Sequence, residues 1–289
     1  MTGFSGIWVP LVTPFRGDAI DFASLQALAR RLVEAGASGL VACGSTGEAA
    51  ALDEDEQLAV LDAVLAAVPG APVMMGLAGN NLRAVLGRLE RVQQRPVAGL
   101  LVPPPYYIRP SQAGLTEYFR TLADAALVPL VLYNIPYRTG VTMEFNTLAG
   151  LARHDRIVAL KDCGGDPVLT MRLITETGLQ VLAGEDHQLL STLALGGSGG
   201  IMASAHLRTE LFVQIVRLVE HGALTEARDR FYRLLPLIRL LFREPNPGPL
   251  KAALSMMGWM DDGLRAPLQQ ATPALCEQIG MELKRLECA

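Results

Sequence analysis

The sequence predicts an α/β chain: a (β/α)8 barrel of the TIM type followed by a C-terminal helical appendage. Three observations carry that reading. Short apolar runs recur along the first two thirds of the chain. A helix-like segment follows each of them. The first run lacks the glycine fingerprint that the rival doubly wound sheet would place after it.

The runs are 7–12, 39–43, 73–77, 99–102, 130–133, 157–161, 180–183 and 200–203. They are apolar at successive positions and end in Gly, Pro or polar residues. Strands of a parallel sheet, covered on both faces, have this character. Helical segments are expected at 22–35, 54–68, 82–94, 112–126, 144–153, 167–177, 187–195 and 207–221. In the first of these Leu25, Leu28, Leu32 and Val33 share a face. Asp21, Asp53, Ser111 and Asp166 stand where N-caps belong. The first run leads into Thr13-Pro14-Phe15 with no GxGxxG. The spacing of the units is too uneven for a solenoid.

Beyond residue 222 the strands stop. Segments 223–242, 249–257 and 273–286 read as helices, and Glu244-Pro245-Asn246-Pro247-Gly248-Pro249 is a rigid connector between the first two. The expected organisation is a barrel over 1–222 carrying the active site and an α-helical region over 223–289.

Composition narrows the function. The chain has 289 residues, 50% hydrophobic and 19% charged, with a net charge of −4. That balance excludes a disordered chain. Without a basic surplus, neither nucleic acid nor an anionic membrane is an expected partner. No apolar stretch reaches the roughly 18–20 residues of a membrane span. The N-terminal segment lacks the basic start of a signal peptide. Cys43, Cys163, Cys276 and Cys288 form no CxxC pair and no zinc-like cluster with the four histidines. A reducing, cytoplasmic setting is expected, with no metal and no cofactor. Among 25 basic residues only Lys161, Lys251 and Lys284 are lysine, so their positions deserve separate reading.

A barrel of this type places its active site at the C-terminal ends of the strands. Lys161 ends the sixth run, 157–161. Strand alternation puts it on the same side as Ala159, and that small residue suggests the inward face. A buried lysine loses proton affinity, and a neutral amine can attack a ketone to form a Schiff base. The competing reading is a lysine that snorkels to the rim or pairs with Asp162. Tyr133 ends the fifth run at a matching position, about 4.8 Å away across the sheet. Its phenol can shuttle protons during imine and carbon–carbon bond formation, or it can simply cap the barrel core.

Gly44-Ser45-Thr46-Gly47 follows the second run and reads as a cradle for a carboxylate, or as an ordinary turn. Arg138 lies on the loop after Tyr133, where a guanidinium can grip a second carboxylate; the alternative is a surface arginine. The cluster Gly196-Gly197-Ser198-Gly199-Gly200 precedes its strand, lies on the opposite face, and is not a phosphate loop. His206, just past the eighth run, is expected to be a satisfied core or surface histidine rather than a ligand.

With these residues together, the sequence resembles the dihydrodipicolinate synthase/N-acetylneuraminate lyase family of pyruvate-dependent class I aldolases, from Gly6 to the C-terminal helices. The motifs that carry the resemblance are Gly44-Ser45-Thr46-Gly47-Glu48, Tyr106-Tyr107, Tyr133-Asn134 with Pro136, and Lys161. The resemblance implies that Lys161 forms the Schiff base with pyruvate and that Tyr133 donates and accepts protons. It implies a proton relay of Ser45, Tyr133 and a Tyr107 from a neighbouring subunit. Thr46 would hold the pyruvate carboxylate, and Ile201 would line the pocket through its backbone. The implied assembly is a homotetramer built as a dimer of dimers.

Tyr107-Ile108-Arg109-Pro110-Ser111, Arg138-Thr139-Gly140 and Glu244-Pro245-Asn246-Pro247 resemble the synthase branch. There Arg138 would grip the carboxylate of L-aspartate-4-semialdehyde, which condenses with pyruvate to 4-hydroxy-tetrahydrodipicolinate on the route to diaminopimelate and lysine. The chain departs from the synthase pattern at Ser45, in place of threonine, at Ile108, in place of asparagine, and at Tyr137, in place of serine or glycine. At the positions of the family's lysine-effector site it carries Ala49, Glu54, Gln57 and Ala84, while Asn80 and Tyr106 remain. Weak or absent lysine inhibition is the resulting expectation. Two other functions stay open at this point: a lyase acting on a 2-keto-3-deoxy sugar acid or related 2-oxo acid, and a non-catalytic keto-acid-binding barrel.

Overall fold

The structure, a computed structural model, describes residues 3–287; Cys288 lies outside them. The elements follow the expected alternation. They run β1 (Gly6–Pro10), α1 (Phe22–Glu34), β2 (Gly39–Ala42), α2 (Glu54–Ala67), β3 (Val73–Gly76), α3 (Leu82–Val92), β4 (Gly99–Val102) and α4 (Gln112–Ala125). Then come β5 (Leu130–Asn134), α5 (Phe145–Leu151), β6 (Ile157–Asp162), α6 (Pro167–Glu176), β7 (Gln180–Ala183), α7 (Leu189–Ala194), β8 (Gly199–Ile201) and α8 (Thr209–Glu220). The C-terminal helices are α9 (Leu224–Leu241), α10 (Gly248–Met256) and α11 (Pro273–Glu287). The eight parallel strands form a closed barrel in sequence order.

All four N-caps read from the sequence form. Asp21 accepts from Ser24 N–H at 3.1 Å, Ser111 from Gly114 N–H at 3.2 Å, and Asp166 from Val168 N–H at 2.9 Å. Asp53 and Glu56 close a reciprocal capping box at 2.8 and 3.1 Å. One face differs slightly. In α1 the buried residues are Leu25, Leu28, Ala29 and Leu32, and Val33 is only half-buried. At 100° per residue Val33 falls at the edge of the stripe that Leu25 and Leu32 centre.

By its internal contacts the chain divides into two compact units. One comprises the N-terminal residues to Gly6 with Pro72–Ile201; the other comprises Ile7–Ala71 and the residues from Met202 onward. In the first, β3 to β8 pair in unbroken parallel order wherever a register is defined, for example Met75↔Leu100, Val131↔Ala159 and Asp162↔Ala183. Gly199 shows why glycines cluster before β8: with φ +148°, its Cβ would stand 2.0 Å from the Gly6 carbonyl oxygen. The glycines therefore serve close packing at the strand's start.

In the second unit β1 pairs with β2, Val9 opposite Leu40. Trp8 lies opposite Gly39, where a Cβ would meet its ring at 2.3 Å. A short antiparallel ladder, Phe15–Arg16 with Ala19–Ile20, follows β1; its two-residue strands are too short for the sequence pattern to reveal. His206 is fully buried here. Its Nε2 accepts from Val12 N–H at 3.3 Å, and its Nδ1 donates to the Ala203 carbonyl at 2.8 Å. It is a satisfied core histidine. No helix among the described residues is long and apolar enough to cross a membrane.

Candidate active site

β6 delivers Lys161 because the four residues before it are apolar. Ile157, Ala159 and Leu160 are buried, and Lys161 is carried in with them to 6% exposure. The β5–β6 register sets Tyr133 opposite Lys161 and Asn134 opposite Asp162. Lys161 Nζ stands 4.2 Å from the centroid of the Tyr133 ring. Burial lowers the lysine pKa from its ordinary value. The charges of Asp186 and Glu185 oppose that shift, and Arg138 adds to it.

Asp162 is held elsewhere. Its Oδ1 accepts from Asn134 Nδ2 at 2.8 Å and from Gly164 N–H at 2.9 Å, while burial raises its carboxyl pKa. Cys163 Sγ lies 4.0 Å from the Tyr133 hydroxyl, and burial pushes its thiol pKa well up.

The chain leaving β5 is pinned at once. Asn134 Oδ1 accepts from Met143 N–H at 3.2 Å, and Pro136–Thr139 forms one helical turn. Arg138 stands exposed on that turn, within electrostatic reach of Lys161. Its neighbour Tyr137 donates a 2.8 Å hydrogen bond to Glu185 Oε1, just past β7. Tyr107, with φ +72° and 88% exposed, donates its N–H to the Thr139 carbonyl at 3.2 Å. Ile201 ends β8 with its side chain buried.

Ser45 and Thr46 belong to the other unit. Ser45–Gly47 is a single 3-10 turn begun by Gly44, with Ser45 exposed and Thr46 buried. Asn246 Nδ2 donates to Thr46 Oγ1 at 3.0 Å. Gly47 must be glycine, because a Cβ there would stand 2.8 Å from the Leu11 carbonyl oxygen. Glu48 closes the turn in the left-handed region, with φ +53°, and turns its carboxylate inward. There it forms an ion pair with Lys251 of α10, both side chains fully buried.

Lys251 also donates to the Gly263 carbonyl at 2.8 Å, and Arg265 N–H reaches Glu48 Oε2 at 3.3 Å. The Phe15 ring takes Lys251 Nζ at 4.3 Å and the Arg265 guanidinium at 4.7 Å. Arg265 in turn forks onto Glu56 at 2.7 and 2.6 Å. Burial lowers the Lys251 pKa, and Glu48 works against that shift.

Sequence reasoning assigned no role to Glu48, Lys251, Asn246, Cys163 or Glu185. Lys251 left a trace in the lysine count, and Glu48 in the motif. Asn246 stood in the Glu244-Pro245-Asn246-Pro247 motif and Glu185 among the polar residues that follow the seventh run, while Cys163 carried no signal beyond the cysteine count. Chemically, the first unit offers a buried amine of lowered pKa beside a phenol, the arrangement needed to condense an amine with a ketone. The second offers a rigid turn with hydroxyls on both Ser45 and Thr46. Among the described residues no group of three or more His, Cys, Asp and Glu side chains is placed to hold a metal ion.

Comparison with known proteins adds the family. The model of the dihydrodipicolinate synthetase family matches residues 3–286. A 4-hydroxy-tetrahydrodipicolinate synthase of Natronomonas pharaonis is 37% identical over 288 residues, covering 98% of each chain. One from Clostridium acetobutylicum is 36% identical, covering 95% of this chain and 97% of that one. Among solved structures, a dihydrodipicolinate synthase from Thermotoga maritima superposes with a TM-score of 0.96 at 30% identity, covering all of both chains.

Proposed function

The chain belongs to the dihydrodipicolinate synthetase family, and from that premise we propose that it condenses pyruvate with L-aspartate-4-semialdehyde to 4-hydroxy-tetrahydrodipicolinate. It is a lyase-type enzyme, and the reaction serves diaminopimelate and lysine biosynthesis in the cytoplasm. The single observation that carries this reading is the buried Lys161 amine against the Tyr133 ring.

The roles follow from chemistry. The neutral Lys161 amine attacks C2 of pyruvate, and the carbinolamine loses water to give the imine. Tyr133 supplies and accepts the protons of those steps, relayed through Ser45 and a Tyr107 from a neighbouring subunit. Thr46 and the backbone of its turn hold the pyruvate carboxylate; the Asn246 amide, donating to Thr46 Oγ1, leaves the hydroxyl proton for that task. Loss of a methyl proton gives the enamine, whose carbon bonds to the aldehyde carbon. The amino group of the second substrate then attacks the imine carbon, closing the ring and releasing Lys161. Ile201 lines the pyruvate site through its backbone.

Arg138 favours a carboxylate-bearing aldehyde over a neutral polyol. The 88% exposure of Tyr107 leaves it available to a neighbouring subunit, in the homotetramer built from dimers that the family resemblance implies. The barrel over 1–222 supplies the chemistry, and the helical region over 223–289 buttresses the Ser45–Gly47 turn through Asn246 and Lys251.

The test is steady-state condensation of the two substrates, read through NADPH consumed by the next reductase. Turnover is expected, with Arg138→Ala raising the KM for the aldehyde and leaving that for pyruvate. No turnover, with pyruvate still trapped on the enzyme by borohydride, would assign a different aldehyde and refute this reading.

A further inference from the structure

Tyr137 stands out as a large aromatic side chain, 65% exposed, that is nevertheless tied down. Its hydroxyl donates to Glu185 Oε1 at 2.8 Å. The two residues belong to different βα loops. Tyr137 lies just past the end of β5 and Glu185 just past the end of β7. Between those strands runs β6, with Tyr133 opposite Lys161 on one side and Leu182 opposite Lys161 on the other. The Tyr137–Glu185 pair therefore joins loops whose strands lie two spacings apart, roughly 10 Å, on either side of the strand that carries Lys161.

Glu185 is close enough to act electrostatically on both Lys161 and Cys163. Arg138 follows Tyr137 directly, its guanidinium 6.0 Å from the tyrosine ring. The bridge therefore lies beside the guanidinium expected to hold the carboxylate of the aldehyde.

We propose that Tyr137 is a specificity-determining residue: hydrogen-bonded to Glu185, its ring forms a strap over β6 that limits the length of the aldehyde condensed with the pyruvate imine. The proposal rests on the pyruvate-condensing reading above and deepens it. A short aldehyde with a carboxylate reaches Arg138 beneath the strap. A long polyhydroxy aldehyde needs the space the ring fills. Because the strap is held by a hydrogen bond to a carboxylate, it depends on the hydroxyl as well as on bulk. Tyr137 touches no atom that reacts, so its effect falls on the choice of aldehyde and not on imine formation.

The experiment uses the full-length protein and three forms, wild type, Tyr137→Ser and Tyr137→Phe. Each is assayed with pyruvate and either L-aspartate-4-semialdehyde or D-arabinose, products being quantified by mass spectrometry. The rate of borohydride trapping of pyruvate serves as the internal control. Tyr137→Ser, which removes both the ring and its hydrogen bond to a charged group, is expected to shift the ratio of kcat/KM toward arabinose by about tenfold or more. Tyr137→Phe should move it in the same direction by less, with trapping unchanged in both.

An unchanged ratio in both variants would overturn the strap. So would loss of trapping, which would place Tyr137 in the imine site instead. If wild type rejects aspartate semialdehyde yet traps pyruvate, the assigned second substrate fails. The strap is then still decided by whether Tyr137→Ser gains arabinose turnover over wild type.

Discussion

Lys161 and Tyr133 face each other as register partners on adjacent strands, with the lysine nitrogen 4.2 Å from the centroid of the tyrosine ring. The pair is fixed by strand pairing rather than by loop conformation. It therefore inherits the rigidity of the barrel, which the proposed proton relay to the Lys161 amine requires.

Removal of the phenol tests that relay. Tyr133→Phe keeps the ring against Lys161 and deletes the proton carrier. The expected outcome is a fall in kcat of about a hundredfold or more, with pyruvate imine still formed but slowly. Stopped-flow and trapping kinetics check it. Burial lowers the Lys161 pKa, so imine formation in wild type should rise with pH and level off below the ordinary lysine range.

The Glu48–Lys251 pair makes a stability prediction. Both side chains are fully buried, so removing one partner strands the other charge. Lys251→Met should destabilise the protein by about 3–5 kcal/mol. The double variant Glu48→Gln, Lys251→Met should recover part of that loss, because no lone charge remains. Urea denaturation of the three forms measures it.

His206 predicts an acid-side loss of stability. Its pKa falls from 6.5 to about 4, chiefly through burial. Between those values the unfolded chain binds more protons than the folded one. Stability is therefore fully present above about pH 6.5 and lost as the pH falls toward 4. Integrated over that window, the loss is about 3 kcal/mol. Denaturation midpoints across the range should show it, with a shallower slope in His206→Gln.

Lysine should inhibit weakly or not at all. Gln57, at a position of the family's effector site, is buried and committed, donating to the Ala49 and Leu52 carbonyls at 2.9 and 3.2 Å. Asn80 spends its side-chain oxygen on Tyr106 N–H at 2.9 Å. A lysine titration of initial rates is the check, and strong inhibition at low lysine would contradict the expectation.

Much of this was legible in the sequence because the barrel imposes a simple pattern. Each apolar run marked a strand, and the polar residue ending it marked the strand's C-terminal end, which is how the pairing of Lys161 with Tyr133 could be read. The caps at Asp21, Asp53, Ser111 and Asp166 were equally readable, since an N-cap is a local interaction. What escaped was long-range. Asn246 meets Thr46 across 200 positions of chain, and nothing local announces such a bond. Tyr137 and Glu185 meet only because β5 and β7 flank β6. The lysine count held a signal that was only half used: of Lys161, Lys251 and Lys284, the first two are buried. A chain that uses arginine almost everywhere has placed a lysine at two of its interior positions.

The central claim is that Lys161 carries the pyruvate imine. The most direct measurement is incubation with pyruvate, reduction with borohydride and peptide mass mapping, in wild type and Lys161→Ala. The account predicts a single reduced pyruvate adduct on the peptide containing Lys161, absent from the variant. An adduct on Lys251 or Lys284, or one that persists in Lys161→Ala, would contradict it.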